Sequence, residues 1–289
     1  MKPKRYGPFP YSPIIDRPKK RWPNGARIAV WVIPNIEFFA LNEQIPAAAG
    51  GGGQVPDVST WSSRDYGNRI GIYRMMEVMK RHGVRGTVAL NSELTVEHPR
   101  IMEECAKLHW ELMGHNESNT RRLNSVSDAE ASLIVKRTVQ TIHQNTGQKV
   151  KGWLSSGLAE TWNSLDDLVD NGVEYVADWV NDDQPYKMTL DDGRSIMSIP
   201  YSTELNDKPA YEKKFMTPDQ FEAMICRQFD VLWKEGAEQA RAMGIALHPY
   251  LTGVPHRIGA LDAALAYIAK HEGVWFATGS EIAQAGQSL

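Results

Sequence analysis

The sequence is poor in cysteine and has no long apolar run. Its 289 residues include only two cysteines, Cys105 and Cys226, which lie far apart and outside any CxxC pair. A disulfide framework or a zinc ribbon needs several closely spaced cysteines, so both are excluded. No segment approaches the ~20 apolar residues of a membrane span, and the apolar stretch of a signal peptide does not follow the basic N-terminus. We therefore expect a cytoplasmic protein without a membrane partner.

The sequence also lacks a surplus of basic residues. Lys and Arg number 32 against 35 Asp and Glu, a net charge of -3, which leaves no basic excess to neutralise a phosphate backbone. We expect no nucleic-acid partner. A chain of this length can bury one large core, and α/β barrels of this size commonly form a single domain. We predict a barrel over residues 27–289, with an N-terminal extension over residues 1–26 packed on it.

Short apolar runs alternate with longer segments of helical periodicity. One helix is predicted to end at Gly83, a second to begin with the capping pair Ser127 and Glu130, and a third to span residues 217–244. Parallel strands need such crossovers, so the pattern indicates a largely parallel sheet. Strands are predicted at residues 27–33, 86–90, 109–113, 149–154, 173–179, 195–201, 245–250 and 274–278.

Seven or eight such units favour an α/β fold with a closed or nearly closed (β/α) barrel over an open doubly wound sheet. No GxGxxG motif follows an early strand to support a dinucleotide-binding sheet. Residues 41–67, with four consecutive glycines, interrupt the pattern. Loops of that length are usually functional or disordered, and we interpret this one as a loop that covers the site.

Polar residues follow several predicted strands at the point where each strand ends. In parallel barrels the catalytic groups lie at the C-terminal ends of the strands, which makes these residues the candidates for a site. Glu37 lies in an apolar run, where a carboxylate is rarely buried without a hydrogen-bond or charge partner or a functional role. His115 and His248, taken singly, could equally be hydrogen-bonded histidines at the rim. The other candidates are Asn35, Asn91, Glu93, Ser155, Ser156, Asp178, Glu204, Asn206 and Asp207.

Together and in this order, these segments resemble the polysaccharide deacetylase family (carbohydrate esterase family 4). The most specific segments are "NDDQPY" at 181–186 and "LHPYLTGVPHR" at 247–257. The resemblance is strongest to the branch with cofactor-independent allantoinases, cyclic imide hydrolases and atypical peptidoglycan deacetylase-like proteins. It implies a single-domain barrel of the (β/α)7 type with the site at the C-terminal ends of the strands. It also implies a homodimer or homotetramer.

The resemblance also implies roles for site residues. In the family, a carboxylate after the first strand and an HxxxH pair hold a divalent metal that activates water, and a histidine after the last core strand protonates the leaving nitrogen. Glu37, His115 and His248 match these positions. Two departures matter: a single carboxylate, Glu37, stands where the family has an Asp-Asp pair, and Asn119 replaces the second histidine. An amide oxygen is a poorer zinc ligand than imidazole.

We therefore predict that the site needs no cofactor, or holds zinc weakly at Glu37, His115 and Asn119. General acid and base groups supply ~10² to 10⁴-fold each, which is enough for a strained ring. We favour hydrolysis of a non-peptide carbon–nitrogen bond in a small cyclic amide or imide, similar to allantoin or a hydantoin. The catalytic residues are predicted to be Glu37, His248 and Asp178. Substrate contacts are predicted for Asn35, Trp153, Ser155, Asp183, Glu204, Asn206 and Asp207.

Two other functions stay open at this point. The first is a metal-dependent deacetylase of N-acetylated sugars or polysaccharide. The second is a catalytically inactive binding protein descended from the enzyme, although such a protein would not need to retain both Glu37 and His248.

Overall fold

The centre of the molecule is a curled, mostly parallel sheet. The computed structural model describes residues 1–46 and 54–289. In these ranges the strand order is β6-β7-β5-β4-β3-β2-β1-β8, β9 also pairs with β1, and only β6 runs antiparallel to its neighbour. The strands are β1 (Ile28–Ile36), β2 (Thr87–Leu90), β3 (Glu111–Gly114), β4 (Gly152–Trp153), β5 (Tyr175–Val176), β6 (Tyr186–Thr189), β7 (Ser195–Ser198), β8 (Arg241–Leu247) and β9 (Val274–Phe276).

Helices lie between most of these strands and cover the outside of the sheet, which gives the predicted distorted (β/α)7 barrel. None of the helices in the described ranges is long and apolar enough to cross a membrane. The helices are α1 (Val58–Tyr66), α2 (Ile72–Arg81), α3 (Leu94–Glu97), α4 (Pro99–Lys107), α5 (Asp128–Thr146), α6 (Ser164–Asp170), α7 (Pro218–Glu235), α8 (Ile258–Ala269) and α9 (Gly279–Gly286).

Strand β1 directs the functional side chains toward the barrel interior. All nine of its residues are buried, as expected for a parallel strand covered on both faces. Ile28, Val30 and Val32 pack into the outer core under the helices, whereas the alternate residues at 29, 31 and 33 pack into the inner core. Because successive side chains of a strand point to opposite faces, the odd-numbered series continues inward to Glu37.

Strand β8 repeats this arrangement beside β1. The two strands pair in parallel from Ile28 and Arg241 to Pro34 and Leu247. Ala242 and Ala246 belong to the inner core, so the even-numbered series of β8 continues inward to His248. The shared register therefore brings the residues that follow β1 and β8 to the same level of the barrel.

Two of the predicted helices begin at the predicted capping residues. The Ser127 hydroxyl accepts a hydrogen bond from the backbone N–H of Glu130 at the start of α5, and Gly147 closes that helix with a φ of 72°. This left-handed conformation favours glycine. Thr217 and Gln220 form a reciprocal capping box at the start of α7.

The third predicted helix was too long. The sequence pattern of residues 217–244 predicts one helix, but α7 ends at Glu235 and β8 begins at Arg241, four residues before the predicted strand. Pairing with β1 along seven buried residues of β8 outweighs the local helical pattern.

Other boundaries also differ from the prediction. Strand β6 was missed, and it forms a hairpin with β7 around the turn at Asp191–Gly193. The segment 41–67 was predicted as one long loop, but residues 58–66 form α1, which Asp57 caps through its side chain. The four glycines of that segment lie outside the described residues.

The N-terminal residues run along the barrel. The Pro8 carbonyl accepts from the Thr189 N–H at 2.8 Å, and the Lys20 carbonyl accepts from the Ala240 N–H at 2.8 Å. The Trp22 indole is buried and donates to the Arg241 carbonyl at 2.6 Å. The division into residues 1–26 and 27–289 stays a prediction.

Candidate active site

Glu37 lies between two histidines at the C-terminal ends of the strands. Its Oε1 is 3.4 Å from His248 Nε2 and 3.8 Å from His115 Nε2, and all three side chains are buried. The Asn119 side-chain amide donates to the same oxygen. Glu37 Oε2 is buried and has no hydrogen-bond partner among the described residues. Oε2 is thus the carboxylate atom that a reactant could engage.

Asp207 holds His248 from the opposite side of the ring. The His248 Nδ1 donates to Asp207 Oδ1 at 2.6 Å, and the His248 backbone N–H donates to Oδ2 at 2.7 Å. The Thr252 hydroxyl donates to Oδ2 at 2.6 Å. These contacts leave the second ring nitrogen, Nε2, directed at Glu37. Asp207 was predicted as a substrate contact, but it is fully buried and both of its oxygens are already used.

The charges of Glu37 and His248 stabilise each other. Burial alone would lower the pKa of His248, but the carboxylates of Glu37 and Asp207 outweigh it and raise this pKa to about 9. Burial alone would raise the pKa of Glu37, but the positive charge of His248 and the two neighbouring imidazoles hold this pKa well below its usual range. At neutral pH the pair is therefore a carboxylate facing an imidazolium.

The donor set around Glu37 does not fit a tightly held zinc ion. A catalytic zinc site uses three protein ligands, and the described residues contain no cluster of three or more His, Cys, Asp or Glu side chains arranged for a metal. The Asn119 oxygen accepts from Ser156 Oγ at 2.5 Å and from Asn91 Nδ2, so its NH₂ group faces Glu37 instead. His248, when protonated, is a donor and not a ligand.

His115 nevertheless has a fixed orientation. Its Nδ1 contacts the Leu154 carbonyl, which can only accept, so Nδ1 carries the proton and Nε2 is the nitrogen directed at Glu37. The Ser156 hydroxyl and the Asn91 side chain both donate to the His115 backbone carbonyl. The histidine is thus held as a polar wall of the site.

Asp178 is a second buried carboxyl group, and burial raises its pKa. Its Oδ1 accepts from the Ser155 backbone N–H at 2.7 Å, and its Oδ2 is buried and has no hydrogen-bond donor among the described residues. Burial and the charge of Asp178 hold the pKa of Glu160 well above its usual range. No sequence motif pointed to Glu160, which follows a short irregular segment after β4.

Several predicted substrate contacts have structural roles instead. Trp153 is fully buried in a core cluster, and its indole donates to Ser155 Oγ at 2.9 Å. Asn35 is buried and donates to the backbone carbonyls of Ile33 and Leu247. The sequence placed these residues at the correct ends of their strands, but neighbouring groups of the protein use their polar atoms.

Three more predicted substrate contacts have no recorded contact with Glu37 or His248. Glu204 is exposed and pairs with Lys214, and the Asn206 amide donates to the Tyr201 hydroxyl at 2.9 Å. Asp183 lies near the amino end of β8, where its carbonyl accepts from the Ala242 N–H at 2.8 Å. Ala242 and His248 are separated by most of the length of that strand, a distance of about 20 Å.

Two cations that the sequence did not single out lie beside the pair. The Arg64 guanidinium is 3.9 Å from the Tyr250 ring and 5.0 Å from the Phe39 ring, and the Lys208 ammonium is 3.3 Å from the Tyr250 hydroxyl. Burial lowers the pKa of Lys208. Lys208 directly follows Asp207, and Arg64 belongs to the segment that was predicted as a loop.

Known proteins resemble this chain in sequence and in fold. No family model matches the chain. A "Putative polysaccharide deacetylase" of Schizosaccharomyces pombe is 28% identical over 303 aligned residues, which cover 95% of this chain and 93% of the relative. A solved "probable Polysaccharide deacetylase" from Pseudomonas aeruginosa PAO1 has a TM-score of 0.86 and 26% identity, covering 93% of this chain and 94% of that one.

An allantoinase, PuuE, is equally similar in structure. Its TM-score is 0.86 at 25% identity, with 94% of each chain covered. The chain is thus similar over nearly its whole length to polysaccharide deacetylases and to an allantoinase, in agreement with the resemblance that the sequence suggested. The relatives and neighbours support an amidohydrolase or deacetylase that cleaves carbon–nitrogen bonds, and the neighbours include an allantoinase.

Proposed function

We propose that this protein opens the ring of a small cyclic amide or imide by hydrolysis, with Glu37 as general base and His248 as general acid. The observation that carries the proposal is the contact of 3.4 Å between Glu37 Oε1 and His248 Nε2, beside a second carboxylate oxygen that has no partner in the described part of the chain. A proton can pass directly between a base and an acid that are in contact.

In this mechanism, Glu37 and His248 both return to their starting protonation states. Glu37 Oε2 takes one proton from water while the water oxygen bonds to the ring carbonyl carbon. The carbon–nitrogen bond then breaks, and the nitrogen takes the Nε2 proton of His248. The proton on Glu37 passes to His248, which restores both groups. Asp207 keeps the imidazole oriented and stabilises its charge throughout.

The donor set favours a strained ring over an acetylated sugar. A metal that polarises the carbonyl is worth several kcal/mol to an amide hydrolase, and the residues around Glu37 do not fit a tightly held zinc ion. An acid and a base supply ~10² to 10⁴-fold each, which is better matched to a cyclic imide or a hydantoin-like ring. The similarity to an allantoinase over 94% of the chain supports the same substrate class.

Turnover of a substrate panel tests the proposal. Purified protein is assayed with allantoin, hydantoin, succinimide and an N-acetylglucosamine oligomer, before and after chelation. We expect ring opening of at least one cyclic compound, unchanged by chelation, and no acetate release from the oligomer. Acetate release that depends on added zinc, with no ring opening, would instead identify a metal-dependent sugar deacetylase.

A second histidine that contacts a carboxylate serves as a matched control for the acid. His82 is 2.6 Å from Asp262, but it lies at the end of α2 and outside the site. We expect His248→Ala to abolish ring opening and His82→Ala to retain it. The homodimer or homotetramer implied by the resemblance stays a proposal, which light scattering would check.

A further inference from the structure

We propose that Asn119 is a positioning residue that holds the Glu37 carboxylate through an amide N–H. Asn91 and Ser156 fix which end of the Asn119 amide faces that carboxylate. The inference rests on the proposed ring-opening function, in which Glu37 Oε2 is the base. It gives a role to the asparagine that stands where the resemblance places the second histidine: it is a hydrogen-bond donor to Oε1.

A backbone donor sets the orientation of the buried Asn91 amide. The Phe38 N–H donates to Asn91 Oδ1 at 2.8 Å, and a backbone N–H can only donate. The Asn91 NH₂ group donates to the His115 backbone carbonyl and, at 3.3 Å, to Asn119 Oδ1. A backbone carbonyl can only accept, so both contacts of Asn91 with the main chain require the same orientation of its amide.

The orientation of Asn119 follows from that of Asn91. Two donors meet its side-chain oxygen, the Asn91 NH₂ group at 3.3 Å and the Ser156 hydroxyl at 2.5 Å. Its NH₂ group therefore faces the other way and donates to Glu37 Oε1. The opposite orientation would set the amide oxygen against the Glu37 oxygen and the two NH₂ groups against each other, and neither arrangement forms a hydrogen bond.

The main chain fastens the same residues beside Glu37. The Asn119 backbone N–H donates to the Phe38 carbonyl at 3.0 Å, so Phe38 contacts Asn91 through its N–H and Asn119 through its carbonyl. Asn119 and His248 both contact Glu37 Oε1, which makes the two carboxylate oxygens unequal and leaves Oε2 to take the proton. A catalytic group displaced by ~1 Å can lose ~10² in rate, so a fixed carboxylate favours turnover.

Asn119→Asp tests the donor. The substitution keeps the size of the side chain but replaces its NH₂ group by oxygen, so Glu37 Oε1 loses a hydrogen bond. We expect kcat to fall by ~10 to 10²-fold, the usual range for a hydrogen bond to a charged group. KM should change little, because Asn119 contacts the base and not the substrate. Wild-type kcat in Asn119→Asp would overturn the proposal.

Asn145→Asp is the matched control for this variant. The Asn145 side chain donates to Thr95 Oγ1 at 2.7 Å from the last turn of α5, outside the site. The chemical change is the same as in Asn119→Asp, and we expect kcat to be retained. An equal loss of kcat in both variants would show that the loss does not come from the contact with Glu37, and would also overturn the proposal.

Ser156→Ala tests the fixed orientation of the amide. It removes the closer donor to Asn119 Oδ1 while Asn91 remains, so we expect a smaller fall in kcat, of about threefold to tenfold. The double variant with Asn119→Asp should be no slower than Asn119→Asp alone, because Ser156 acts through the amide. If the two losses multiply, Ser156 acts by another route and its assigned role fails.

The side-chain amide resonances of isotopically labelled asparagine give a readout that does not need turnover. One NH₂ pair should disappear in Asn119→Asp. The same pair should shift in Glu37→Gln, where its acceptor loses the charge, and in Ser156→Ala, and should stay unshifted in Asn145→Asp. A pair that does not shift in Glu37→Gln would overturn the proposal.

These resonances also separate the inference from the proposed function. A wild type that opens no cyclic amide but shows the shift in Glu37→Gln contradicts the ring-opening function and leaves the Asn119 contact standing. A wild type that opens the ring but shows no such shift contradicts the role of Asn119 alone.

Discussion

The two ends of the barrel bury polar side chains in different ways. At the amino end, Glu111 Oε1 accepts from the Tyr175 hydroxyl at 2.8 Å and from the Ser280 hydroxyl, and Oε2 accepts from the Ser280 backbone N–H at 3.0 Å. At the carboxyl end, Glu37 Oε2 and Asp178 Oδ2 are buried without a hydrogen-bond donor among the described residues.

The difference separates a structural network from a site. A buried polar atom that lacks a partner costs about 1–3 kcal/mol, so most such atoms are satisfied by the fold itself. The Glu111 network joins β3, β5 and the start of α9, and each of its carboxylate oxygens is used. At the other end, the described residues leave Glu37 Oε2 and Asp178 Oδ2 without a hydrogen-bond partner.

The largest expected effect comes from removing the charge at the carboxyl end. Glu37→Gln keeps the shape of the side chain but abolishes the base, so we expect kcat to fall by ~10² to 10⁴ with a thermal midpoint near that of wild type. Steady-state kinetics and thermal unfolding measure the two effects. Glu111→Gln is the matched control, for which we expect retained kcat. Near wild-type turnover in Glu37→Gln would remove Glu37 from the mechanism.

Asp207→Asn should have an intermediate effect, with a signature in its pH profile. The acid form of His248 is required and its pKa is about 9, so wild-type activity should be lost as pH rises through about 9. Removal of the Asp207 charge removes one of the causes that raise this pKa. We therefore expect the alkaline limb to move to lower pH, together with a fall in kcat. An unmoved limb would show that His248 is not the titrating acid.

Tyr175→Phe should act on stability and not on turnover. The substitution removes a buried hydroxyl that donates to Glu111, which is worth about 1–3 kcal/mol because the acceptor is charged. Denaturant unfolding measures the loss, and kcat with the best cyclic substrate should stay close to that of wild type. A large loss of kcat with little loss of stability would contradict the division between the two ends.

The smallest effect is expected from removal of metal. Hydrogen bonds from Ser156 and Asn91 already use the Asn119 oxygen, so the carboxyl end does not depend on an ion for its arrangement. We expect chelation and dialysis to leave kcat/KM unchanged, with metal content checked by elemental analysis. Loss of activity on chelation, restored by zinc, would show that the donor set rearranges around an ion.

The part of the candidate site that directly follows the strands was predictable from the sequence. Glu37 and His248 follow β1 and β8 directly, and the alternation of strand side chains points both inward, so their meeting follows from local pattern and barrel topology. Trp153 and Asn35 also lie at strand ends, but their polar groups donate to neighbouring groups of the protein. Strand position alone does not tell which polar atoms neighbouring segments will use.

Other features depended on contacts between distant parts of the chain. Asp207 and His248 are 41 residues apart in the sequence. Only the folded structure shows that Asp207 is the hydrogen-bond partner of the His248 imidazole. Glu160 had no motif of its own, and Arg64 lay in a segment predicted as a loop. The start of β8 was not predicted, because residues 217–244 have a helical pattern. Pairing with β1 outweighs that pattern.

The sequence by itself determined most of the order of strands and helices, the largely parallel barrel and the residues at the ends of β1, β3 and β8. These follow from periodicity and capping, which act over a few residues. The tertiary structure decided which of those residues contact one another and which of their polar atoms are already used by neighbouring groups of the protein. Hydrogen bonding and charge interaction fall off within a few ångströms, so they depend on distances that only the packed chain sets.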